Sequence, residues 1–120
     1  MNVAANVDEL IAEIAAQTKI DVPVARRAIG TIANFVASEA PAAAAAALFA
    51  KLPGMAPLAQ EYRQPSGGLF GIFNALMVSG ISLADMPRMT ASFVGFAKAN
   101  GAEREVNEVV NSIPGLAQFV

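Results

Sequence analysis

Leu69-Phe70-Gly71-Ile72-Phe73-Asn74-Ala75-Leu76-Met77-Val78, closed by Ser79-Gly80, is the stretch whose reading decides the fold. Asn74 is its only polar side chain before Ser79, so helical coiling presents apolar surface on nearly every side. At roughly a dozen residues it is too short to cross a bilayer, which takes about 20. A helix that is apolar all round belongs inside a core or against a partner. The expectation is an all-α domain with this segment as its central helix, enclosed by helices from both halves of the chain.

Composition supports that class. The 120 residues make one domain, 1–120, long enough to bury about two-thirds of its unfolded surface. Apolar residues reach 55% and charged residues only 15%, and the apolar excess is mostly alanine, which favours helices and their close approach. A mean hydropathy of +0.48 then has two readings: an alanine-rich core, or an apolar surface covered in an oligomer or by a ligand. The net charge of −2 and pI near 5.0 argue against nucleic acid as a partner, because phosphate binding needs a basic face. Without cysteine there is no disulfide framework, thiolate nucleophile or Cys-type zinc site. Without histidine the usual proton shuttle and the commonest metal ligand are both missing. Met1 to Asn6 shows neither a basic n-region nor a long apolar run, so the expected compartment is the cytoplasm.

Start and stop signals place about six helices. Asn6, with Glu9 three residues on, starts the first, whose face is Leu10, Ile11, Ile14, Ala15 and Thr18. Asp21 with Pro23 opens the second, with Ala25, Ala28, Ile29, Ile32, Phe35 and Val36 inward, and Pro41 opens the third. Six consecutive alanines, Ala42 to Ala47, leave Leu48, Phe49 and Leu52 to anchor that third helix. Its bare alanine face receives another helix within the monomer or forms a dimer seam. Pro53-Gly54 stops it, and Met55 to Ala59 allow one further turn. Gln60 to Gly68 reads as a linker. The central helix follows, stopped at Gly80. Next, either Ser82 caps with Asp85 as its capping-box partner, or Asp85 caps with Pro87 in the first turn. The second repeats the pattern of Asp21 and Pro23 and is preferred. The fifth helix carries Met86, Met89, Phe93, Phe96 and Ala97 to Asn100-Gly101. The sixth carries Val106, Val109, Val110 and Ile113, and Pro114-Gly115 ends it before an apolar tail, Leu116 to Val120, expected to dock.

A shift of 61 residues aligns the halves: Ile11 meets Ile72, Ile20 meets Ile81, Arg27 meets Arg88 and Phe35 meets Phe96. Leu52-Pro53-Gly54-Met55-Ala56 meets Ile113-Pro114-Gly115-Leu116-Ala117. Two readings stand: a duplicated three-helix unit, about 1–59 and 62–120, or two similar helix stops. Val7-Asp8-Glu9-Leu10-Ile11, Asp21-Val22-Pro23-Val24-Ala25, Leu52-Pro53-Gly54, Gly67-Gly68-Leu69 and Ser112-Ile113-Pro114-Gly115-Leu116 resemble the VcgC/VcgE-type family of small uncharacterised bacterial proteins. That resemblance covers nearly the whole chain but implies no activity and no site residues. The first 30 or so residues are also similar to the opening helical hairpin of the histone-like HU proteins, through Asp8-Glu9-Leu10-Ile11, Ile14-Ala15, Thr18, Ile20, Ala25 and Ala28. The basic β-arm is missing and Asp8, Glu9 and Glu13 would repel DNA, so the likeness is read as convergence.

Catalysis finds no footing. Glu9 with Glu13, and Glu105 with Glu108, pair carboxylates on a helix face, but a dimetal site would add Glu-x-x-His pairs, and a solvated acidic face is the better reading. Gly67-Gly68-Leu69-Phe70-Gly71 lacks the strand, lysine and hydroxyl of a phosphate loop. Ser79, Ser82, Ser92 and Ser112 have no histidine, and a pairing with Lys51 or Lys98 has no support. Tyr62 is either a contact residue or packs the linker down. No enzyme activity, metal or cofactor is expected. The feature with functional promise is Phe70, Phe73, Met77, Met86, Met89, Phe93 and Phe96, a set that is ordinarily core but also suits an adaptable apolar surface. Two functions follow: a helical module that self-associates or binds a protein partner, or a carrier of an acyl chain or lipid in a groove lined by that set.

Overall fold

The computed structural model describes residues 7–52, 54–62 and 68–113, with the side chains of 68–70 and 83 left aside. The described residues are helical and contain no strand: α1 (Val7–Thr18), α2 (Val22–Glu39), α3 (Ala42–Ala50), α4 (Met55–Glu61), α5 (Gly68–Ser79), a 3₁₀ turn (Leu83–Asp85), α6 (Met86–Ala99) and α7 (Glu103–Ser112). None of these helices is long and apolar enough to cross a membrane. The all-α expectation holds. The turn expected at Met55 to Ala59 is a full helix, α4, so Gln60 and Glu61 are helical and Tyr62 closes it. Of the expected linker, residues 63–67 lie outside the described residues, as do Asn6, Pro53 and the tail from Pro114 to Val120.

Helix ends follow the chemistry of their sequences. Three helices stop on a left-handed residue: Lys19 (φ 58°), Gly80 (φ 108°) and Gly101 (φ 78°). The next N–H then reaches back to the last turn, Ile20 to Ala15 O at 3.2 Å, Ile81 to Leu76 O at 3.0 Å and Ala102 to Ala97 O at 2.8 Å, closing carbonyls that the helix leaves open. Both readings of the fifth helix start contribute. Asp85 sits at the N-cap with Pro87 in the first turn, while Ser82 Oγ accepts from the Asp85 N–H at 3.3 Å and donates to Asp85 Oδ2 at 3.1 Å. Asp21 occupies the cap of α2 without a side-chain bond to it.

The central element is α2, and this corrects the expectation placed on Leu69 to Val78. Helix α2 packs on α1, α3, α4 and α5, burying Ala25, Ala28, Ile29, Gly30, Thr31, Ala33 and Val36 around most of its circumference. Five of those seven are alanine, glycine or threonine, which barely mark a hydropathy pattern yet let neighbouring backbones come near. Helix α5 lies at the periphery, packed mainly on α2. Ile72 and Leu76 are buried, but Asn74 is exposed, Met77 is 50% exposed and Val78 79%. One helix face is all that α2 offers it. The alanine helix α3 finds its contacts inside the monomer, on α7, α2 and α4, with Ala44, Ala45 and Leu48 buried.

Helix α4 is clamped to α2 by a close approach at Gly30. A Cβ there would stand 2.3 Å from Tyr62 Cδ2 and 2.9 Å from Cγ, so the tyrosine ring lies where any other residue would put a side chain. Asn34 Nδ2 donates to Ala59 O at 3.0 Å and Arg26 pairs with Glu61 at 2.7 Å. That ion pair is exposed and adds little, whereas Leu58 and Met55 are buried and each contributes about 2 kcal/mol. Tyr62 therefore packs the chain down. Gly30→Ala is expected to lower unfolding free energy by about 1–2 kcal/mol in a denaturant melt, despite alanine's better helix propensity. In Gly30→Ala/Tyr62→Ala the combined loss should fall well short of the sum.

Candidate functional site

An apolar groove opens where α5, α6 and α7 meet beside α2. Ile32, Phe35 and Val36 of α2 face Ile72, Phe73 and Leu76 of α5, and Met86, Phe93 and Val94 of α6 continue the wall into Val106, Val109 and Val110 of α7. Leu48 of α3 also lines it, and Thr90 is the one polar side chain among these residues. The pattern comes from helical spacing: Phe73 and Leu76, and Val106, Val109 and Val110, sit three or four residues apart on single faces. The cavity holds about 70 Å³, half of the roughly 150 Å³ in which an apolar cavity takes up benzene. It has room for one aliphatic side chain and, at this size, none for an acyl chain.

The expected Phe/Met set divides. Phe73, Met86 and Phe93 come together in the groove. Met89 is buried in the core at 1% exposure and Met77 is exposed to solvent, neither of them lining it. Phe96 belongs to a second cleft between α1 and α6, and the Phe70 side chain lies outside the described residues. Ile32, Phe35 and the three valines of α7 were legible only as core stripes, and Val94 belonged to none of them. That they share one wall depends on which helices meet, and no local signal carries that.

The second cleft, about 610 Å³, runs between Glu9, Leu10, Glu13 and Gln17 of α1 and Arg88, Ala91, Ser92, Gly95, Phe96 and Ala99 of α6, with Asn100 at its C-cap. Gln17 ties its rims: Ser92 Oγ donates to Gln17 Oε1 at 3.0 Å and Arg88 donates to the Gln17 carbonyl at 3.3 Å. Among the described residues no three His, Cys, Asp or Glu groups gather as a metal site. Ser79 and Ser112 donate to the carbonyls of Ala75 (2.9 Å) and Glu108 (2.7 Å). Comparison with family models, with curated proteins and with solved structures gives no match.

Of the expected carboxylate pairs, Glu105 has a structural role. It meets Lys51 Nζ at 3.2 Å, and Lys51 also donates to Gly101 O at 3.2 Å, joining α3 to the start of α7. The Glu105 backbone amide and then Lys51 hold its carboxyl below the ordinary value of 4.5. A carboxyl held low in the folded state stabilises it above the unfolded pKa and loses that contribution as pH falls through the folded value. Melts of wild type and Glu105→Gln should therefore differ at neutral pH, wild type being the more stable, and converge below pH 4.5.

Proposed function

We propose that the chain is a non-catalytic interaction module, built by duplication of a three-helix unit, whose apolar groove accepts an aliphatic side chain from a protein partner, a second copy foremost. The groove itself carries the reading. Thirteen of its fourteen lining residues are apolar, and a cavity of this size suits a single anchoring side chain presented by a helix. The exposed Met77 of α5, next to Phe73 of the groove wall on the helix surface, enlarges the apolar surface open to a partner.

Helix boundaries support the duplication. Adding 61 to α1, 7–18, gives 68–79, the span of α5. Adding it to α2, 22–39, gives 83–100, the span of the 3₁₀ turn and α6 to within one residue. For α3 it gives 103–111, inside α7. The left-handed residues Lys19 and Gly80 are also in register. Exchanging the units interchanges the α1–α6 and α5–α2 contacts and the α2–α3 and α6–α7 contacts, and keeps α3–α7. The α1–α2 contact is not repeated to the same extent by α5 and α6.

A second reading, carriage of an acyl chain, draws on one observation: α5 packs mainly on α2, so its outward displacement would widen the groove while leaving the other helix pairs in place. Native mass spectrometry of freshly purified protein separates the two. The module reading expects a concentration-dependent dimer that Val110→Glu, at the groove, abolishes. The carrier reading expects a monomer with lipid adducts. Neither higher mass nor adducts would remove both.

A further inference from the structure

We propose that the side chain entering the groove is Met77 of a second copy, reciprocally, so that two α5 helices pair antiparallel across a two-fold axis. The inference rests on the module reading above and names its partner and its anchor. Among the described residues the large apolar side chains exposed to solvent are Val22, Met77 and Val78. At about 100° per residue, Met77 stands about 40° around α5 from Phe73 of the groove wall, and Val78 about 140°. Depth separates the candidates further. Buried residues, among them Val36, Ile72, Leu76 and Val109, line the groove, so an occupant must reach past the half-buried Phe73, Val94 and Val110. Valine branches at Cβ and ends close to its own backbone. Methionine is unbranched, with three rotatable bonds, and adapts to a narrow apolar slot.

The positions of knob and hole favour a second copy over a different protein. A two-fold interface needs one patch that carries both halves of each contact. Met77 follows Phe73 by one turn on the surface of α5, so the knob of a copy and its own groove can face the same partner. An antiparallel pairing that sets Met77 against the second copy's Phe73 also sets Phe73 against the second copy's Met77, giving two equal contacts. Charge points the same way. Among the described helices, α3 and α5 alone carry no Asp, Glu, Lys or Arg, and α3 is already held by α7, α2 and α4. On α5 an identical chain can therefore lie without opposing like charges, the juxtaposition that excludes wrong partners elsewhere.

Met77→Lys tests the anchor, because the position is exposed and a lysine there sets an unpaired charge against the apolar groove. In native mass spectrometry Met77→Lys should be a monomer at concentrations where the parent is a dimer, and Val110→Glu should be a monomer as well. An equal mixture of the two variants should restore a heterodimer. In it, Met77 of the Val110→Glu copy enters an unaltered groove, and the introduced lysine meets the introduced glutamate in the other. Val110→Glu must keep a cooperative thermal melt; where it does not, Thr90→Glu, at the one polar position of the groove wall, takes its place. A dimer that survives Met77→Lys while Val110→Glu is monomeric would overturn Met77 as the anchor and leave the groove reading standing. A dimer that survives Val110→Glu would overturn the groove as its seat. A mixture that stays monomeric would overturn the reciprocal pairing, and a parent monomeric at every concentration would overturn this inference together with the self-association beneath it.

Discussion

The structure depends on how near other helices can come to α2. Its buried surface is built from Ala25, Ala28, Gly30, Thr31 and Ala33 as much as from Ile29 and Val36, and short side chains bring backbones together at the small end of the interaxial range. At Gly30 the space a methyl group would fill is taken by the Tyr62 ring. Fixing α4 there leaves the remaining sides of α2 to α1, α3 and α5, so one helix organises the packing of the first five. Interiors are packed as densely as organic crystals, which is why so small a residue can set the position of a whole helix.

The groove is a by-product of the same arrangement. Helix α5 has more apolar surface than α2 can cover, and the valine face of α7 meets α6 beside it rather than filling the space between them. Phe73, Val94 and Val110 are left half-buried at that junction. A protein of this composition can hide its surplus apolar surface inside itself or against something else; here Met77 and Val78 remain in contact with solvent. A cavity of about 70 Å³ has the volume of a side chain, not of a lipid tail. The ionisable groups, by contrast, serve the scaffold: Arg26 holds Glu61, Lys51 holds Glu105 and Arg88 reaches the end of α1.

Much of the local architecture was legible. The stops at Gly80 and Gly101, the start at Asp85-Met86-Pro87 and the inward faces of α1, α6 and α7 follow from residue chemistry acting within a few positions. The candidate site was legible in part. Phe73, Met86 and Phe93 are large, apolar and regularly spaced, and they meet. Met77 has the same chemistry but points away, because a helix lying on one neighbour buries one face whatever it carries on the others. Tyr62 and Gly30 could not be matched in advance, being 32 positions apart and joined only by the closing of α4 onto α2.

By itself the sequence determined that the chain is helical, where most helices begin and end, and that it holds no cysteine or histidine. Those are consequences of backbone propensity, capping and residue inventory, all of them local or compositional. Only the tertiary structure decided which helix lies at the centre. Hydropathy ranks Leu69 to Val78 above Ala25 to Val36, but centrality goes to the helix that neighbours can approach from several sides. That is a matter of side-chain size against particular partners, and no stretch of chain carries it alone.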